Sequence, residues 1–146
     1  MSMHTTITYG YGIDKMILSK IDKEKYHAFI RKHTPEYAEN LSADELENKL
    51  TNDENECGVT SYFNQLWRIM SDKEGLDRLT LCQDEDDEIY IMFVESMPWS
   101  YSDSKELASE EDATNIFLKY LKELLPDDKY MTAHNYISYQ ACENFC

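Results

Sequence analysis

The chain has little glycine, little positive charge and no long apolar run. Four glycines in 146 residues leave almost nothing from which to build a phosphate-cradling loop. Its one Gly-x-Gly, Gly10 and Gly12 in TYGYG, lacks the third glycine and the helix start that such a loop requires. No stretch approaches about 18 consecutive apolar residues, so the sequence predicts no membrane-spanning helix. The opening MSMHTTITYG has no charged segment leading into an apolar one, and no signal peptide is expected. Four cysteines are present, Cys57, Cys82, Cys142 and Cys146. Cys142 and Cys146 lack the second ligand pair that a structural zinc site needs, even with His134 to hand. Without a secretory context the four are expected as reduced thiols in a cytoplasm. No repeat of about 20 to 50 residues is visible.

Negative charge is abundant. Fourteen Lys and Arg face 29 Asp and Glu, a net charge of −15. The imbalance is uneven: residues 1–32 carry six basic and three acidic side chains, whereas residues 33–146 carry 8 and 26, a net of −18. Such a surface repels phosphate backbones and anionic lipid, which argues against direct nucleic-acid or membrane binding. The 42% hydrophobic and 12% aromatic content nevertheless supplies a core, and the length suits one domain over residues 1–146.

The apolar pattern predicts the elements. TTITYGYGI, residues 5–13, is β-branched and aromatic and reads as a strand. Tyr26, Phe29, Ile30 and His33 recur at helical spacing between Asp22 and Pro35. Ser42 and Glu45 stand at capping-box spacing before Leu46 and Leu50. Val59, Tyr62, Phe63, Leu66 and Met70 form the broadest apolar stripe, stopped near Gly75. Residues 78–82 and 89–94 are two β-rich runs around CQDEDDE, the layout of a hairpin whose second strand is interior. A last helix runs from Ser109 to Leu125, ahead of Pro126, and a final strand is expected near residues 134–139. The order β-α-α-α-β-β-α-β predicts a single α+β domain: a mostly antiparallel sheet of about four strands packed with about four helices. Leu66, Met70, Ile91, Phe93, Phe117 and Leu121 are its expected core.

No constellation declares a catalytic site. Asp84, Glu85, Asp86, Asp87 and Glu88 lack the alternating ligands and the glycine of a calcium loop, and they read as a solvated hairpin tip. His27, His33 and His134 have no local catalytic partner; a site around them has to assemble in space. Neither metal nor cofactor is expected. The feature furthest from average is the acid itself, concentrated in residues 36–56, 84–88 and 103–112. Carboxylates spread over one face can imitate the phosphate field of a nucleic acid and occupy a basic groove.

The TYGYG and EIYIMFVESMPW segments, with the acidic start of the helix that follows, resemble a family of small acidic proteins of low-GC Gram-positive bacteria and their mobile elements. Size and acidity are similar to those of small anti-CRISPR inhibitors. The expectation is therefore a non-enzymatic, cytoplasmic binding protein that inhibits or regulates a basic nucleic-acid-handling partner, such as a nuclease, in the manner of a phage or mobile-element anti-defence inhibitor. Its expected contacts are Asp84 to Glu88 at the tip, a second patch at Asp44, Glu45 and Glu47, and Trp99 with Tyr101 as an aromatic anchor. The alternatives are a small enzyme built around the histidines and an immunity or interaction protein that binds through MPWSY.

Overall fold

The computed structural model describes residues 6–54, 59–74, 79–83, 89–94 and 110–144. Its elements follow the expected order. Strand β1 (Thr6–Asp14) runs into a short 3-10 helix (Lys15–Ser19), and helices α1 (Lys23–His33), α2 (Ala43–Asn52) and α3 (Ser61–Glu74) follow. Strands β2 (Leu79–Gln83) and β3 (Ile89–Val94) precede helix α4 (Glu110–Leu124). A single turn of helix, α5 (Asp127–Tyr130), a second 3-10 turn (Ala133–Tyr136) and strand β4 (Ser138–Asn144) complete the described chain.

Side-chain caps set the helix starts. The Asp22 carboxylate accepts from the Lys25 amide ahead of α1, and Ser42 and Glu45 form the complete capping box at α2. Each satisfies an amide that the first helical turn cannot. Asp14 does the same for the 3-10 helix, accepting from the Met16 amide at 2.9 Å.

The four strands lie in the order β2-β3-β1-β4, with every neighbouring pair antiparallel. Strand β3 is interior, and its hairpin with β2 is paired as far as Gln83 opposite Ile89. Ile13, Ile91 and Leu81 stand opposite one another across three strands, so they share one face of the sheet. Ile13 and Ile91 are fully buried there, and Leu81 packs against the same core. Helix α3 is fixed to the sheet edge by the Trp67 indole N–H, which donates to the Leu79 carbonyl at 3.1 Å.

The end of α4 crosses α1. The Asp22 amide donates to the Leu124 carbonyl, and the Lys25 ammonium to that of Leu125, both at 2.9 Å. A cation on the last carbonyls of a helix also offsets its dipole. Phe29 and Tyr120 meet edge to face beside this crossing.

Leu66, Met70, Ile91, Phe117 and Leu121 are all buried, as expected; the Phe93 side chain lies outside the described set. The structure corrects the expectation for the cysteines at one position. Cys82, buried in β2, is disulfide-bonded and is not a reduced thiol. The final strand also begins later than expected, because residues 133–136 form a 3-10 turn.

Candidate functional site

Asp44 and Glu45 are exposed on the first turn of α2, and the Glu45 carboxylate also accepts from the Ser42 amide. Glu36 and Glu39 precede them, and Asp53 and Glu54 follow α2, all exposed. None of these six makes an ion pair among the described residues. The cations of the same region are engaged elsewhere. Lys49 donates to the Tyr37 carbonyl and lies 3.9 Å above the Tyr37 ring. Arg31 donates to the carbonyls of Ala38 and Leu41. The carboxylates thus face solvent without a direct ion pair among the described residues. Asp84 to Glu88, Trp99 and Tyr101 lie outside the described residues.

Glu47 behaves differently from its two neighbours in the expected patch. Leu46 and Leu50 fix the buried face of α2, and Glu47 stands about 100° from Leu46 around the helix, on its flank. Its Oε1 accepts from the Tyr62 hydroxyl and lies 2.8 Å from His27 Nε2. Its Oε2 is 3.6 Å from the Lys23 ammonium. The Tyr26 hydroxyl donates to the Tyr62 carbonyl, and the two rings pack at 4.7 Å. Three helices therefore converge on one carboxylate.

Burial alone pushes the Glu47 carboxyl up, but hydrogen bonds from Tyr62 and His27 and the charge of Lys23 outweigh it. The net result lies below the ordinary carboxylate value. Burial, then the hydrogen bond to Glu47 and its charge, raise the Tyr62 phenol. Glu47 is held ionised and Tyr62 protonated on either side of neutral pH.

Beside this cluster is a cavity of about 500 Å³, lined by Leu18, Ser19, Ile21, Lys23, Glu47, Thr51, Thr60 and Tyr62. The volume is within the range of small-ligand sites. Nothing in the sequence placed Glu47 with His27 and Tyr62, since each comes from a different helix; the flank position on α2 and the tyrosine in the α3 stripe were the available signals.

The histidines do not assemble into one site. His27 meets Glu47, His33 meets Glu123 at 3.4 Å alongside Lys32, and His134 is exposed. Among the described residues no group of three or more His, Cys, Asp or Glu is placed to hold a metal, and no helix is long and apolar enough to cross a membrane.

The carboxyls of Glu47, Glu74 and Glu123 share one logic. Burial raises each, donors outweigh it, and each settles below its ordinary value of 4.5. A carboxyl depressed in the folded state contributes stability above its unfolded value and loses it as pH falls through the folded one. Urea midpoints should therefore fall steeply below pH ~4.5, and more gently in Glu47→Gln. Equal acid slopes for the two proteins would show that the Glu47 cluster contributes nothing.

No family model, no curated protein and no solved structure matches this chain.

Proposed function

We propose that this is a non-enzymatic acidic binding protein that inhibits or regulates a basic, nucleic-acid-handling partner. The observation that carries the reading is the arrangement around α2. Glu36, Glu39, Asp44, Asp53 and Glu54 point to solvent without ion pairs among the described residues, while Lys49 and Arg31 are bonded to backbone carbonyls. An exposed surface rich in carboxylates without direct ion pairs steers and holds a basic groove of the kind that binds phosphates. Asp44 and Glu45 belong to this contact surface, and Asp84 to Glu88, Trp99 and Tyr101 are proposed to extend it. An anti-defence inhibitor acting on a nuclease fits this chemistry.

The protonation pattern disfavours general acid–base chemistry at the Glu47 cluster. A general acid or base works best with its pKa near the operating pH, whereas Glu47 is shifted down and Tyr62 up, both away from neutrality. A cytoplasmic setting belongs to the same reading. There the Cys82 disulfide would be unusual, because stable disulfides are rare in that compartment.

Titration of the protein against purified basic nucleases at rising salt tests the proposal. Affinity should fall with salt, and the double reversal Glu36→Lys with Asp44→Lys should weaken low-salt binding by about tenfold or more. Binding that is absent at low salt, or insensitive to both salt and reversal, would sink it.

A further inference from the structure

We infer that the cavity between the first 3-10 helix, α1, α2 and α3 binds an alkylammonium or alkylguanidinium group, with the cation seated on Glu47. This site is separate from the exposed acidic surface, and the inference goes beyond the reading given for that surface.

The anchored charge in the cavity is negative. Glu47 is 25% exposed, and its Oε1 is already occupied by Tyr62 and His27. These two bonds fix the carboxylate and leave Oε2 as the acceptor for a further donor. Lys23 answers it only weakly: the separation is 3.6 Å and the lysine side chain is 75% exposed. An exposed pair at that distance contributes little, so Lys23 swings aside readily. Its ammonium already stands near where a ligand's cation would bind more closely.

The remaining lining fits the rest of such a ligand. Leu18, Ile21 and the Tyr62 ring offer apolar surface for an alkyl stem. The hydroxyls of Ser19, Thr51 and Thr60 can accept the N–H groups that Glu47 leaves free; Ser19 Oγ donates to the Met16 carbonyl and keeps its lone pairs. A wholly apolar ligand would cover Glu47 Oε2 and offer it no donor, which is costly. A hard divalent cation needs several carboxylate or carbonyl oxygens, and Glu47 is the one carboxylate in the lining. The net charge of −15 adds a field that draws cations in and keeps anions out.

Two sources carry this chemistry: a free diamine or guanidino-amine, and a Lys or Arg side chain presented by a protein partner. Calorimetry and NMR shift mapping with agmatine and cadaverine, and with a short Arg- and Lys-containing peptide, separate them. Agmatine should bind at one saturable site and shift Thr51, Thr60 and Tyr62. Glu47→Gln should weaken it by about tenfold or more, the loss expected for a charged hydrogen bond. Lys23→Ala should tighten it by about twofold to fivefold. Thr51→Phe places a ring at the cavity rim one helical turn from Glu47 while keeping the carboxylate and should weaken binding by about tenfold or more, so the test stands even if Glu47→Gln folds poorly. A peptide that displaces agmatine with the same Glu47 dependence assigns the site to a partner's side chain. Agmatine that the peptide cannot displace assigns it to a free amine. No saturable binding, equal affinity in wild type and Thr51→Phe, or equally tight binding of an uncharged alcohol of the same length would overturn the inference. The single reversal Glu36→Lys, which lies outside α2, should leave agmatine affinity within about threefold at moderate salt, so this site and the acidic surface can fail independently.

Discussion

Phe117→Ala should lower the free energy of unfolding by about 3 to 5 kcal/mol. Phe117 is 0% exposed at the centre of α4, on the face that also carries Ala113, Tyr120, Leu121 and Leu124. That helix packs between α1 and β1. Truncation removes a ring from a site that cannot collapse, because the elements on either side are fixed independently. The crossing with α1 is pinned by the Asp22 and Lys25 bonds to the last carbonyls of α4, and β1 is paired on both edges. The loss thus combines a transfer cost with a cavity cost. Against a typical total of about 5 to 15 kcal/mol it removes a large share of the stability. Urea unfolding followed by tryptophan fluorescence and circular dichroism measures it, with Phe117→Leu as the control that keeps most of the volume and should cost under about 1.5 kcal/mol. A loss below about 1 kcal/mol for the alanine variant would mean that α4 is not held in this core.

Much of the fold was legible because local chemistry and tertiary packing agree. The stripe Tyr26, Phe29, Ile30 marks α1 and becomes its buried face, and the spacing of Ser42 and Glu45 becomes a formed capping box. The two β-rich runs around the acidic residues pair as strands β2 and β3, because their β-branched and aromatic composition favours extended backbone. Local signals failed where two readings compete. Pro126 does stop α4, yet it also serves as the N-cap of α5, since proline is tolerated where no helical amide is needed. The sequence from His134 onward mixes aromatic and polar residues, and a 3-10 turn over Ala133–Tyr136 takes the first three of these positions before the strand starts at Ser138.

The functional residues divide in the same way. Asp44 and Glu45 were visible as an acidic helix start, and exposure at that position follows from the burial of Leu46 and Leu50 on the other side. Glu47 was grouped with them by proximity in sequence, but one residue past Leu46 turns it by about 100°, toward Tyr62 and His27. Periodicity can say that a side chain lies on a flank. It cannot say that an imidazole 20 residues earlier and a phenol 15 residues later will meet it there. The His27, Glu47 and Tyr62 cluster is therefore a product of how α1, α2 and α3 pack, and so is the cavity beside it.

Breaking the disulfide at Cys82 should cost about 2 to 4 kcal/mol, the second large effect expected in this chain. Cys82 is fully buried in β2, the edge strand that holds to the body through pairing with β3, the Trp67 bond to Leu79 and the burial of Leu79 itself. In the unfolded chain an intrachain bond from Cys82 closes a loop whichever cysteine answers it, for Cys57, Cys142 and Cys146 are all at least 25 residues away. Closure entropy grows only with the logarithm of loop length, so the choice among the three changes the stabilisation by less than about 1 kcal/mol. Unfolding curves of oxidised and fully reduced protein, together with thiol counts on the denatured but unreduced chain, test this. Cys82→Ala should match the reduced protein and be insensitive to reductant. It avoids the buried hydroxyl that serine would introduce, which carries its own penalty. Four reactive thiols in the denatured, unreduced protein would restore the reading taken from the sequence, in which all four cysteines are reduced. A bond that survives purification without oxidant and supports stability by several kcal/mol would instead place the protein's working life in an oxidising setting, and would count against a cytoplasmic nuclease as the partner of its acidic surface.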